Sequence, residues 1–240
     1  MKPLSNQMLG LGVAGATLVI MAATTPLAAV IGWSGLANAG FAARGVSGSL
    51  WSGTATGATM RGLPLGDLAL ATSPLPLIAG RIELDVRPAT EGLTGPSGRI
   101  VVTRAGYGLA DFAWTAPAGA VVGVASGGDI SLSDFNVRFA DGRCASVEGE
   151  VGASIALGDG AGSNRVLMSG TPACADGVLL LPLAGRTPAG DASLDVRIDA
   201  GGGVRYDIVL DADAALAARL APLGFTADGN RLRLAGTTAF

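Results

Sequence analysis

The 240-residue chain carries a formal net charge of −3, and only 15% of its residues are charged. Nucleic-acid binding depends on clustered Lys and Arg, so this weakly acidic chain is not expected to bind nucleic acid. It contains no His, which excludes Ser-His-Asp and Cys-His hydrolases. Its one lysine, Lys2, precedes the first apolar segment, which excludes a Ser-Lys dyad in the remainder.

The first predicted element is an apolar helix near the N-terminus. Residues 8–33 carry no charge. The stretch from Leu9 to Ile31, about 23 residues, would form a helix of roughly 35 Å, long enough to cross a hydrocarbon core of about 30 Å. Since Lys2 precedes it, the positive-inside rule places the N-terminus in the cytoplasm and the rest of the chain across the membrane. Pro26 is expected to kink this helix.

A cleavable signal peptide is the alternative for this region. Ala37, Asn38 and Ala39, followed by Gly40, have the A-x-A form of a cleavage site. The apolar run is longer than a usual signal-peptide core, which favours an uncleaved anchor. We therefore predict a cytoplasmic tip and membrane anchor over 1–34, a tether over 35–43 and a β-rich domain over 44–240.

Strand alternation dominates the region that follows. Residues 81–87 place apolar side chains on one face and charged side chains on the other, as a half-buried antiparallel strand requires. The apolar set is Ile82, Leu84 and Val86, and the charged set is Glu83, Asp85 and Arg87. Upstream, an L-W-S-G turn separates two short strand-like runs, and a Pro-then-apolar connection leads into the strand. The residues that define this pattern are Gly48, Leu50, Trp51, Gly53, Pro74 and Gly80.

This order of residues resembles the N protein family of the bacterial type II secretion system. The resemblance implies one membrane anchor followed by a β-rich periplasmic domain. It also implies a non-enzymatic inner-membrane component that assists export of folded periplasmic proteins across the outer membrane. Other inner-membrane subunits of the secretion apparatus would then be its partners.

The remaining elements continue the β pattern. Residues 129–139 alternate with a one-residue shift at Ser133 and Asp134, which predicts a β-bulge. The one helix predicted in this region spans 213–223, with Asp213 as its N-cap and Pro222 near its end. Short connections without intervening helices favour a mainly β fold, an antiparallel curved sheet or a sandwich. Further strands are expected near residues 100–104, 147–157, 164–169, 194–197, 204–210 and 232–234.

The two cysteines, Cys144 and Cys174, predict a disulfide bond, because the periplasm is kept oxidising. Two buried free thiols are the alternative. A metal site is not expected, because the cysteines lack CxxC spacing and no His can complete a tetrahedral site. No cofactor is predicted either.

Two other functional classes remain open. The first is a lipid-handling protein anchored in the inner membrane, in which a curved sheet with an apolar inner face holds lipid. The second is an envelope enzyme that uses a pair of carboxylates as acid and base. Its candidate residues lie at strand ends and turns, where carboxylates are ordinarily solvated, and they are Asp141, Glu148, Glu150 and Asp159.

Overall fold

The structure is a computed structural model that describes residues 24–33, 40–60, 62–90, 94–118, 127–156, 165–187 and 189–239. These residues form sixteen strands and three short α-helices. The helices are α1 (Leu27–Trp33), α2 (Pro74–Ile78) and α3 (Ala214–Leu220). The strands are β1 (Phe41–Ala42), β2 (Gly45–Gly48), β3 (Gly53–Met60), β4 (Leu63–Thr72), β5 (Ile82–Pro88), β6 (Ser97–Thr103), β7 (Gly106–Pro117), β8 (Gly128–Ala140), β9 (Arg143–Ala156), β10 (Arg165–Gly170), β11 (Ala173–Ala175), β12 (Val178–Thr187), β13 (Gly190–Ile198), β14 (Gly203–Asp211), β15 (Thr226–Asp228) and β16 (Arg231–Ala239).

All sixteen described strands belong to one antiparallel sheet. Neighbours in the sheet are almost always neighbours in the chain, in the order β1-β3-β4-β5-β6-β7-β8-β9-β10-β12-β13-β14-β16-β15, with β2 paired to β3 and β11 to β12. The mainly β, antiparallel prediction is therefore confirmed. The described strands form a single open sheet rather than a sandwich.

One face of the sheet is apolar, and we call it the inner face. Residues opposite each other in an antiparallel pair lie on the same face, so apolar positions in register form continuous rows. Leu183 lies opposite Leu194, and Leu194 lies opposite Ile208, and all three side chains are buried. The next residues along the same strands, Asp195 and Asp207, pair on the outer face.

The sheet curls around its inner face. The hydroxyl of Tyr107 in β7 donates a hydrogen bond to the carbonyl oxygen of Ala200, which follows β13, at 2.6 Å. Four strands separate β7 from β13 in the sheet, so a flat sheet could not bring these two residues together. A single large core cluster accordingly joins β7 to β16. Helix α3 covers one end of it through Leu220, which is 3% exposed.

A second, smaller core lies at the N-terminal side of the sheet. It unites α1 with β3, β4 and β5, and its buried residues are Leu27, Ala55, Ala58, Leu68, Leu70 and Val86. The inner face between the two cores belongs to β5, β6 and β7. Leu84, Ile100 and Leu109 are partly buried. The first two pack against the smaller core, and Leu109 packs against the larger one.

Two local features match the predictions made from the sequence, and two differ from them. The pairing of β8 with β9 shifts between Ser133 and Asn136, with Asp134 at a φ of 47°, which confirms the predicted bulge. Asp213 caps α3 by accepting a hydrogen bond from the Leu216 N–H at 2.8 Å. The helix is shorter than predicted, because Pro222 lacks an N–H and the chain tightens into a 3₁₀ turn. Helix α2 was not predicted.

The predicted membrane helix lies mostly outside the described residues. None of the helices in the described ranges has the length and apolar composition needed to span a bilayer. In the part that is described, α1 begins after Pro26 rather than continuing through it, because Pro26 pairs with Ser49 in an isolated β-bridge. Within the predicted tether, Phe41 and Ala42 form β1 and pair with β3.

The structure contains the Cys144–Cys174 disulfide bond, with the Cα atoms 5.5 Å apart. The bridge joins β9 to β11. Strand β11 pairs with the start of β12, and the Cys144 N–H donates to the Gly177 carbonyl oxygen at 2.8 Å. The disulfide thereby fastens the β11–β12 hairpin against β9 near one end of the sheet.

Candidate functional site at the open end of the sheet

The meander has two distinct ends, and the candidate site lies at one of them. Helix α3 covers the end at which β14 finishes and β16 begins. We call the other end the open end. There β4, β6, β8 and β13 finish, and β5, β7, β9 and β14 begin, as the antiparallel registers require.

Four large apolar side chains are exposed together at the open end. Ile82 pairs with Val102, and Val102 pairs with Tyr107, so the three form one row across β5, β6 and β7 on the inner face. They are 48%, 40% and 44% exposed, respectively. Leu75 in α2, just before β5, is 75% exposed. We call Leu75, Ile82, Val102 and Tyr107 the apolar rim.

Tyr107 is held in a fixed orientation at this rim. Its ring stacks on Phe139 with the centroids 5.2 Å apart, and its hydroxyl donates to Ala200. Burial, together with the negative charge of Asp199, raises the pKa of Tyr107 above its ordinary value. The hydroxyl therefore remains a neutral donor at physiological pH, and it secures the curl of the sheet at this end.

The N-terminal segment joins the sheet at the same end. The N–H of Leu50 donates to the carbonyl oxygen of Thr25 at 3.0 Å, and Pro26 bridges to Ser49. The hydroxyl of Thr72, a buried residue at the end of β4, donates to the Leu50 carbonyl oxygen at 2.6 Å. We call Thr25, Pro26, Ser49, Leu50 and Thr72 the junction.

The residues singled out by the family resemblance surround the junction and α2. Gly48 adopts a φ of 91°, which suits glycine, and the turn from Gly48 to Gly53 contains Leu50 and the half-buried Trp51. Pro74 is the first residue of α2, a position that suits its fixed φ. Gly80, with a φ of 71°, follows that helix. Their role as a functional motif stays a prediction.

A substitution at Gly53 tests whether the junction is tightly packed. A Cβ atom there would lie 2.6 Å from the Ser47 carbonyl oxygen and 2.6 Å from Leu27 Cδ2. Because the Ser47 atom belongs to the backbone, Gly53→Ala is expected to destabilise the fold by about 1–3 kcal/mol, measured as a shift in the urea midpoint. Gly32→Ala in α1 is the control, since a Cβ atom added there would meet no described atom outside its own helix within 4 Å. A similar shift for both variants would contradict close packing at the junction.

The outer face holds most of the ionic interactions in the described residues. Arg233 binds Asp207 through two hydrogen bonds of 2.9 and 2.5 Å, which lower the pKa of Asp207. Arg231 pairs at 3.2 Å with Asp211, the residue directly opposite it in β14. These pairs link β14 to β16 across an exposed surface, where such contacts contribute little stability.

The carboxylates considered for catalysis do not converge on the apolar rim. Glu148 and Glu150 are exposed on the outer face of β9, and Asp141 is exposed in the turn before that strand. Asp159 lies outside the described residues. Within the described ranges, no group of three or more His, Cys, Asp or Glu residues could hold a metal ion.

The sequence interpretation missed Thr72 as part of the junction and Leu27 as part of the smaller core beside it. A signal for Thr72 was present, because the alternation of Leu68 and Leu70 places Thr72 on the inner face, where a hydroxyl requires a hydrogen-bond partner. No comparable signal marked Leu27, which lay within a run interpreted as membrane helix. Its contact with the sheet depends on tertiary structure.

Comparison with known families connects this architecture to one group of proteins. The family model described as type II secretion system (T2SS), protein N matches residues 39–234. No curated protein and no solved structure matches the chain. The matched region contains the sheet from β1 to the middle of β16 and all six residues of the predicted motif. The chain therefore belongs to the type II secretion system protein N family.

Proposed function

We propose that this protein is a non-enzymatic inner-membrane component of the type II secretion system. It assists the export of folded periplasmic proteins across the outer membrane. The observation that carries the proposal is the family match over residues 39–234. Its N-terminus lies in the cytoplasm and its sheet in the periplasm, which is supported by the uncharged and mostly apolar residues 8–23 after Lys2.

One feature of the described residues supports a scaffolding role in the periplasm. The Cys144–Cys174 bridge suits an oxidising compartment. An anchored sheet also meets its neighbours at a high effective concentration, so weak contacts with other membrane subunits suffice for assembly. We therefore assign the other inner-membrane subunits of the secretion apparatus as its partners.

Crosslinking and pull-down from solubilised inner membranes test this assignment. The protein carries a tag after Phe240, and the matched control is the same tagged strain without crosslinker. We expect secretion-apparatus subunits to be enriched in the crosslinked sample. Recovery of the tagged protein without any such subunit would contradict the proposal.

Lipid handling is the second candidate function, and one observation favours it. The inner face is apolar from β3 to β16, and its β5–β7 part is exposed at the apolar rim. A lipid chain could lie along such a face. Lipid that copurifies with the protein, detected by mass spectrometry, would favour this function. Loss of secretion on gene deletion, without a change in lipid composition, would favour the secretion role.

A further inference from the structure

The apolar rim and the junction lie at the same end of the sheet. Residue 24, where the described chain begins, directly precedes the junction residues Thr25 and Pro26, which pair with Leu50 and Ser49. The residues before it, from Met8 to Ala23, are uncharged and mostly apolar. A bilayer that holds this apolar stretch would therefore lie close to the open end.

The charges around the open end divide it into two sides. On the β5–β7 side, Arg81 is exposed next to Ile82 and pairs with Glu83 at 2.8 Å, and Arg104 is exposed in the turn that follows β6. The turns before β9, β12 and β14 contain acidic residues, which anionic headgroups repel. These are Asp141, Asp176 and Asp199, and Arg143 at the start of β9 is an exposed basic residue beside Asp141. A surface of anionic phospholipid therefore suits the β5–β7 side, where basic residues flank exposed apolar ones.

We propose that the apolar rim rests on the membrane that anchors the chain, with Leu75, Ile82 and Val102 in contact with lipid. Tyr107 lies at the boundary, with its ring stacked on Phe139 and its hydroxyl bonded to Ala200. The inference rests on the membrane anchoring in the proposed function. It adds a second, direct contact between the sheet and the bilayer, which fixes the orientation of the sheet above the membrane.

Site-specific labels on the full chain test this contact. Both native cysteines are in the disulfide, so a single introduced Cys is the only free thiol in the chain. A fluorophore is attached to Leu75→Cys or Val102→Cys in vesicles of equal amounts of phosphatidylethanolamine and phosphatidylglycerol, and quenching by spin-labelled lipid is measured. The matched controls are Leu167→Cys, on the outer face and 69% exposed, and Leu223→Cys, at the α3 end and 40% exposed.

We expect quenching at Leu75 and Val102 to be at least about twofold stronger than at Leu167 and Leu223, because only the rim reaches the apolar part of the interface. Equal quenching at all four positions would overturn the inference. A label on Leu18→Cys reports the anchor separately. If that label is quenched and the rim labels match their controls, the rim contact is wrong and the anchoring stands. If it is not quenched, both are wrong.

A second variant tests the same contact by changing one rim residue while the fluorophore is attached to another. Val102→Asp, added to labelled Leu75→Cys, places a charge within the proposed lipid contact. We expect quenching at Leu75 to fall to the level of the controls, because the charged rim leaves the bilayer. Circular dichroism verifies that the sheet remains folded. Unchanged quenching in a folded variant would overturn the inference.

Discussion

Replacing Cys144 and Cys174 together by alanine is expected to lower the free energy of unfolding by about 3–4 kcal/mol. The bridge closes a loop with a sequence separation of 30 residues, and removing it restores conformational entropy to the unfolded chain by about this amount. Cys144 is 8% exposed and belongs to the larger core, so alanine leaves no unpaired polar group there. The measurement is the urea midpoint of the full chain under non-reducing conditions.

Reduction of the unmodified protein provides an independent route to the same state. A reducing agent is expected to shift the midpoint of the wild-type protein to that of the double variant, and to leave the double variant unchanged. The β11–β12 hairpin should become more accessible to protease in both cases, since the bridge fastens it to β9. An identical midpoint with and without the bridge would contradict a stabilising role.

The strand content of the fold could be predicted because alternation is a local signal. Ile82, Leu84 and Val86 differ from their immediate neighbours in polarity, and this difference alone assigns them to one face of β5. The bulge at Asp134 was visible for the same reason, since the alternation in β8 shifts by one residue there. Where neighbouring residues are small, the alternation in polarity is harder to recognise. The start of β7 contains Gly106 and Gly108 and was not predicted as part of a long strand.

The curl of the sheet could not be predicted, because it depends on contacts between distant residues. Tyr107 and Ala200 are separated by 93 positions, and nothing in either neighbourhood indicates the other. Curvature decides which apolar residues are covered. Leu194 and Val102 occupy equivalent inner-face positions by alternation, yet one is 0% and the other 40% exposed.

The candidate site was predicted only in part, for a related reason. The resemblance identified Gly48, Gly53, Pro74 and Gly80 as a family motif but gave no information on what these residues surround. Antiparallel pairing brings the turn before β3 and the connection before β5 to the same end of the sheet. The motif residues therefore come together around the junction because of the register in which the strands pair. No single segment of the sequence indicates that register.

The second large effect is expected for Leu194→Ala, at the centre of the larger core. Leu194 is 0% exposed and lies between Leu183 and Ile208 in adjacent strands. Truncation removes buried apolar contacts and leaves a cavity, which costs about 2–5 kcal/mol in a core that relaxes only partly. The measurement is again the urea midpoint, with near-ultraviolet circular dichroism as a probe of aromatic packing.

Leu167→Ala is the matched control, because the same side chain is removed from a site that is 69% exposed on the outer face. Its effect should stay within about 0.5 kcal/mol. Val102→Ala, at a position 40% exposed, should fall between the two. Equal losses for Leu194 and Leu167 would mean that the curl does not bury the inner face, and the assignment of one apolar face would then be wrong. A graded series would instead show that the rim can be altered for functional tests while the sheet stays folded.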